Sequence, residues 1–233
     1  MTDIPYRSAL IVGAGPGISA SVARALSHAG MQVSLAARDT GKLEALAAEV
    51  GARTFAADVA DASAVERLFQ AVDEAVGPPD VVVFNAGARV RGAIVDLDPQ
   101  AVRRAVEVSA LGGFYVTQQA AIRMVPKASG AILLTGATAS VKGFPLSSSF
   151  AMGKFALRGL AQSAARELSP HGIHVAHFII DGGVRSAVRP DPVDRPDSTL
   201  DPDGVAQAYL AVLAQPRSAW SWEVELRPWV EVF

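Results

Sequence analysis

Ser8-Ala9-Leu10-Ile11-Val12-Gly13-Ala14-Gly15-Pro16-Gly17-Ile18-Ser19 is the stretch on which the fold turns. Ser8 to Val12 is apolar and too brief for a helix, which reads as a buried strand. Three glycines around Pro16 follow at once, and a helical pattern then runs from about Ser19 to His28. A strand that passes through a glycine turn into a helix offers a tight bend, close backbone approach without Cβ atoms, and free N–H groups at a helix N-terminus. Those are the three things that the pyrophosphate of a dinucleotide needs. Gly13, Gly15, Gly17 and Ile18 are therefore candidate contacts to such a group.

The same alternation continues outward along the chain. Short apolar runs at Val33 to Ala37, Val81 to Phe84, Ala131 to Leu134 and Val175 to Ile180 read as further buried strands. Helical patterns lie between them, closing on Gly30, Gly51, Gly77 and Gly172. Asp61 is placed to cap the third helix, and Asp98-Pro99 and Asp201-Pro202 supply a cap followed by proline at the first helical position. Strands alternating with helices in this way form right-handed crossovers, and so predict an α/β fold with a doubly wound parallel sheet and helices on both faces. The long break from Asp181 to Asp203, with two glycines and four prolines, reads as a lid or a disordered segment. From Trp220 onward the tail alternates and fits a last strand, its tryptophans covering a sheet edge or a subunit contact.

Composition narrows the function. Half of the 233 residues are apolar, enough for one full core over 1–233, and 21 basic against 23 acidic residues leave a formal charge of −2. With the two signs mixed and no basic block, a charge-driven nucleic-acid or membrane-surface binder is not expected. The absence of cysteine removes disulfides, thiolate metal sites and a cysteine nucleophile, and no His/Asp/Glu spacing suggests a metal. His174 and His177 read as core histidines of the sixth strand. Met1 to Leu10 carries Asp3 and Pro5 and lacks the basic and apolar regions of a signal peptide; no segment has eighteen uninterrupted apolar residues. The expectation is a soluble cytoplasmic protein that acts on a small molecule.

The end of the second strand discriminates between cofactors. An acid there accepts from the ribose 2′-hydroxyl of NAD, whereas Ala36-Ala37-Arg38 has no acid at the strand end and a guanidinium just beyond. Arg38 favours NADP(H) over NAD(H) through a charge-assisted pair with the 2′-phosphate.

From about Ala9 to Ser186 the chain resembles the short-chain dehydrogenases/reductases. Gly13 and Gly17 match the family's Gly-x-x-x-Gly-x-Gly loop, with Ser19 in the third glycine's place. Asp58-Val59 resembles its adenine-contacting pair, and Phe84-Asn85-Ala86-Gly87 its Asn-Asn-Ala-Gly signature. Asp181-Gly182-Gly183-Val184-Arg185-Ser186 is similar to its nicotinamide loop, which implies cofactor contacts at Val184 and Ser186. The resemblance implies a single Rossmann-type domain that binds NAD(P). It also implies a homodimer or homotetramer, because the Ser149–Leu168 helix, with Phe155, Leu157 and Leu160, resembles the family's helix-pair interface. An internal core face has the same composition.

The catalytic signature departs from the family. Lys154 is present, but Phe150 stands four positions earlier, where the family has Tyr; Ala137 stands in the Ser position and Ser109 in the Asn position. The family Tyr gives its proton to the forming alkoxide from a phenol whose pKa the Lys lowers, and Phe150 has no proton to give. Lys154 keeps its second implied role, a hydrogen bond to the nicotinamide ribose. Thr138, Ser147, Ser148 and Ser149 crowd the same region as substitutes, or as caps of the following helix. Two functions stay open. One is an NADP(H)-dependent oxidoreductase acting on a C=O, C=N or C=C acceptor through a non-standard site built on Lys154, Ser109, Thr138 and Phe150. The other is an NADP(H)-binding or sensing protein in which catalysis is impaired.

Overall fold

A computed structural model describes residues 4–186 and 188–231. Its seven strands form one parallel sheet in the order β3-β2-β1-β4-β5-β6-β7. In chain order these are β1 (Ser8–Val12), α1 (Ile18–His28), β2 (Gln32–Ala37), α2 (Glu44–Val50), β3 (Arg53–Ala56), α3 (Ala62–Val76), β4 (Val81–Phe84), α4 (Pro99–Val106), α5 (Gly112–Met124), β5 (Gly130–Thr135), α6 (Ser148–Leu168), β6 (Ile173–Ile180), α7 (Pro202–Leu213) and β7 (Glu223–Leu226). The expected doubly wound α/β architecture is therefore the one observed.

Alternation along each strand divides the core. Ile11, Leu35, Val83, Leu133 and Phe178 point to one face, where they pack with residues of α1 and α7. Leu10, Val82, Phe84, Ile132 and Val175 point to the other, against α3, α5 and α6. Because both faces are covered, the central strands are near-continuous apolar runs broken only by a few polar residues such as Ser34, Thr135, His174 and His177, which is why they stand out in the sequence. β3 does not stand out. It is a four-residue edge strand, three of whose residues are exposed, so it carries neither an apolar run nor a clear alternation.

Helix starts follow the expected caps: Asp61 accepts from Ser63 N–H, Asp98 from Gln100 and Ala101, and Asp201 from Asp203. Between α4 and α5 the chain inserts a π-turn, Glu107–Leu111. The segment from 181 to 201 is tied internally. Val184 bridges Leu200, and Asp191 accepts from the backbone and side chain of Thr199 at 3.0 and 2.6 Å. Of the tryptophans, Trp220 stacks on His174, Trp222 packs against the core, and Trp229 is exposed rather than covering an edge. No helix among the described residues is long and apolar enough to cross a membrane, and these residues hold no metal-binding group of His, Asp and Glu.

Candidate active site

The sheet order reverses between β1 and β4, and the cleft outside the carboxyl ends of those strands is where open α/β sheets hold ligands. The two loops touch there. A Cβ on Gly13 would lie 2.4 Å from the Ala86 amide nitrogen, so only glycine lets the first turn pass the fourth. Asn85 locks the junction further, giving Nδ2–H to Ser19 Oγ at 2.6 Å while that hydroxyl donates to Gly13 C=O. Ser19 thus takes part in the turn itself, which gives the departure from the third glycine a structural use.

Asp side chains cap α3, α4 and α7, but α1 begins on Gly17 with no side-chain cap and no acid in its first turn. Cβ atoms built on Gly15 or Gly17 would meet nothing within 4 Å. An uncapped helix start facing open space fits a pyrophosphate, whose oxygens would take the free N–H groups.

Two cavities extend from this point and share Asn85, Gly87 and Ala88. The smaller, about 370 Å³, includes Gly13, Gly15, Arg38, Asp58, Val59 and Ala86. Asp58 is anchored by Arg104 and by the Ala60 amide; burial would raise its pKa, but these partners hold it below the usual carboxylate range. Asp39, which also lines this end, is turned to Lys42 and to the Gly41 amide. The Arg38 guanidinium is exposed and makes no ion pair or hydrogen bond among the described residues.

The larger cavity, about 660 Å³, contains Ile18, Thr138, Phe150, Lys154, Val184 and Ser186. Lys154 is the buried cation of the site. α6 carries it under the loop that follows β5, where Nζ donates to Thr135 C=O at 2.7 Å. Nζ lies 5.8 Å from the centroid of the Phe150 ring, one turn earlier on the helix. Burial lowers the Lys154 pKa to about 8. Ser109 projects from the π-turn toward the same place, but its hydroxyl accepts from Ala88 N–H at 3.1 Å and the residue is fully buried, so it braces the β4 loop from behind the cavity wall. Ser147 and Ser149 do not cap α6 as one reading of the sequence has it. Ser147 Oγ accepts from Arg89, and Ser149 Oγ bridges both backbone groups of Val90.

Sequence spacing gave no hint of a second polar chain behind this wall. His177 has sequence neighbours free of acids, yet β7 brings Glu223 Oε2 to 3.1 Å from its Nδ1, and Ser140 Oγ stands 3.2 Å from its Nε2. Ser140 Oγ also accepts from the Ala137 amide, in the loop that lines the cavity. Arg158 of α6 grips Glu223 with two hydrogen bonds of 2.6 and 2.8 Å. Burial pulls the His177 pKa down to about 4, so the ring is neutral at pH 7. Burial acts to raise the Glu223 pKa and the Arg158 pair overrides it, leaving a carboxylate below its ordinary range. The arrangement suits a neutral imidazole with its proton on Nδ1 toward Glu223 and Nε2 accepting from Ser140. Gly136 crosses directly over the ring: a Cβ there would come 2.2 Å from Nε2.

The structure brings Gly13, Gly15, Ile18, Arg38, Asp58, Val59, Asn85, Ala86, Gly87, Lys154, Val184, Ser186, Thr138 and Phe150 to one continuous cleft, with Gly17 at its α1 edge and Ser109 behind its wall. Ser147, one of the hydroxyls expected near the site, lines it too, as do Arg89, Phe144 and Arg189, which were not singled out as site residues. The sequence model of the family described as short chain dehydrogenase matches residues 7–192. An uncharacterized oxidoreductase of Staphylococcus aureus (strain N315) is 28% identical over 237 aligned positions, covering 98% of this chain and 100% of the relative. Among solved structures, a short-chain dehydrogenase from Rhodopseudomonas palustris is similar with a TM-score of 0.83 and 35% identity, over 96% of this chain and 99% of that one. A metagenomic short-chain oxidoreductase in complex with NADP gives a TM-score of 0.84 and 26% identity, over 95% and 97% of the two chains.

Proposed function

The chain belongs to the short-chain dehydrogenase family, a family of oxidoreductases, and on that premise we propose that it binds NADP(H) in preference to NAD(H) and uses it on a small organic C=O, C=N or C=C acceptor. The observation that carries this reading is the continuity of the cleft from the free Arg38 guanidinium, past the uncapped start of α1, to the buried Lys154. The NADP in the metagenomic neighbour's complex supports the cofactor class.

In this reading Gly13, Gly15, Gly17 and Ile18 hold the pyrophosphate, Arg38 the 2′-phosphate, Asp58 and Val59 the adenine, and Asn85, Ala86, Gly87, Val184 and Ser186 the nicotinamide half. When bound, the cofactor supplies or takes up the hydride. Lys154, positively charged below about pH 8, orients the nicotinamide ribose and adds positive charge where oxygen or nitrogen becomes negative. With Phe150 and Ala137 in place of hydroxyl-bearing residues, the acceptor's proton comes from water or through Thr138 or Ser147. Ser109 acts by fixing the β4 loop. Residues 1–233 act as one domain in the cytoplasm, and the loop at about 181–203 serves as a lid over the cleft.

Assembly as a homodimer or homotetramer is supported by the groove of about 600 Å³ between α5 and α6, where Phe114 and Ile122 are exposed. On α6 itself Phe155 faces outward, whereas Leu157 is buried in the core and contributes nothing to such a surface.

Fluorescence titration tests the cofactor assignment. NADPH should bind about tenfold or more tightly than NADH at low salt, and Arg38→Ala should remove the difference while leaving NADH affinity unchanged. Equal affinities in the native protein overturn the assignment. The sensing alternative is favoured by the loss of both hydroxyls at 137 and 150, and it prevails if NADPH binds tightly but ketones, imines and enones are all left unreduced.

A further inference from the structure

The larger cavity is lined by three cations, Arg89, Lys154 and Arg189, and by no aspartate or glutamate. Elsewhere Arg24, Arg103, Arg104, Arg123, Arg158 and Arg185 each meet a carboxylate within 2.9 Å. Arg89 has no acidic partner among the described residues. Its position is nevertheless set. Nη2 donates to Ser147 Oγ at 2.6 Å, and Cζ lies 5.5 Å from the centroid of the Phe150 ring. A ring face and one hydrogen bond hold the guanidinium at the cavity wall, and its other N–H groups have no acceptor within the described protein.

A fixed, planar fork with unused donors, in a cleft of one sign, matches a carboxylate. We propose that the acceptor is an anion, a ketone or imine that carries a carboxylate, and that Arg89 holds this carboxylate at the wall formed by Ser147 and Phe150 so that the reducible bond lies toward Lys154. The proposal names the substrate class of the site described above and rests on the oxidoreductase reading for the reaction, though not for the binding of the acid. Arg89 is an anchor here and not a proton donor, because a guanidinium stays charged throughout the working range of pH. Phe150 acquires a positive use as the ring on which the anchor lies. Arg189, on the segment after β6 that also lines the cavity, adds further positive potential.

The experiment uses 2-oxo-4-phenylbutanoate and its ethyl ester, which share the ketone and differ in the charge. Their binding is measured by calorimetry to the protein alone and to the protein saturated with NADP⁺, and NADPH affinity is measured separately by fluorescence. The acid should bind at least about tenfold more tightly than the ester, with the preference shrinking at high salt. Arg89→Met should reduce the acid to the affinity of the ester with NADPH affinity unchanged, and Arg89→Lys should restore part of the preference. An ester that binds as well as the acid, a preference that survives Arg89→Met, or one abolished by Arg189→Met alone would each overturn the assignment. Loss of NADPH binding with the acid preference intact would overturn the cofactor reading and leave this one standing.

Discussion

The two ends of the cleft are built from different materials. At the pyrophosphate end the recognising groups are backbone: a helix start without a cap, glycines that leave space, and one loop pressed against another at Gly13 and Ala86. At the reaction end they are side chains delivered from separate elements, Arg89 from the β4 loop and Phe150 and Lys154 from α6, with His177 and Glu223 of β6 and β7 supporting the wall from behind. Backbone recognition depends on the fold being present and little else, so it persists while side chains change. The reaction end can be rewritten one residue at a time. In the proposed reading Phe150 and Ala137 are such rewritings of the family pattern.

Breaking the backbone end should have the largest effect. Gly13→Val forces a Cβ into the Ala86 backbone from a φ of +82°, so it should lower stability by about 3 kcal/mol or more as well as abolish NADPH binding, as read by urea melts and fluorescence titration. Gly15→Ala separates the two consequences. Its φ is ordinary and its new methyl meets only open space, so the melt should be unchanged and the NADPH affinity alone reduced. A Gly15→Ala protein that binds NADPH normally would place the pyrophosphate elsewhere.

Changing Phe150 and Ala137 at the side-chain end should alter rate and leave NADPH binding as it is. Phe150→Tyr adds a phenol one turn from Lys154, and with Ala137→Ser the acceptor oxygen gains a second hydrogen bond. Reduction of ketones should rise within about 10²–10⁴-fold, the range open to a general acid. Because Lys154 titrates at about 8, the gain should fade above that pH as the ammonium that lowers the phenol's pKa is lost. No gain in either variant, measured as NADPH oxidation, would mean that the pocket has also lost the placement of a ketone.

At neutral pH the smallest of the three effects concerns the support behind the wall. His177 has a native pKa of about 4 against an ordinary value of 6.5, so between these values the unfolded chain takes up a proton that the native chain refuses. Stability should therefore be full above about pH 6.5 and fall as pH drops, by about 3 kcal/mol at pH 4 from this group alone. His174, lowered by burial, acts in the same sense. Glu223, whose native pKa is also depressed, adds a further loss at the acid end of the range. His177→Gln should melt earlier at pH 7 but lose less on acidification, and an equal pH dependence in the two proteins would remove His177 from the account.

The same contrast decides what could be read from residue order. β1, β4, β5 and β6 are mostly apolar on both sides because both faces are covered, and the caps at Asp61, Asp98 and Asp201 are local, so these parts were legible. β3 was not, since an edge strand with three exposed residues leaves no pattern. The Gly13 turn and Arg38 lie within thirty residues of each other and were read together, whereas His177 and Glu223 are 46 apart and meet only because β7 pairs with β6. Arg89 is one of two arginines, with Arg91, in a loop. Nothing near it in sequence marks it as different from a solvated surface arginine; the Ser147 and Phe150 that do so lie about sixty positions away.

The π-turn at Glu107–Leu111 has a consequence of another kind. Removing one residue from a regular helix rotates everything beyond it by about 100° and turns a buried face outward. Here the surplus residue is absorbed within a single widened turn between α4 and α5, so losing it would straighten the helix with α5 still in phase against α3 and α6. The inward reach that brings the Ser109 hydroxyl to Ala88 would disappear, and with it the brace behind the β4 loop. Chain length at this point is therefore an adjustment of the cleft that the sheet does not feel, a place where a lineage can gain or shed one residue and retune an active site without refolding around it.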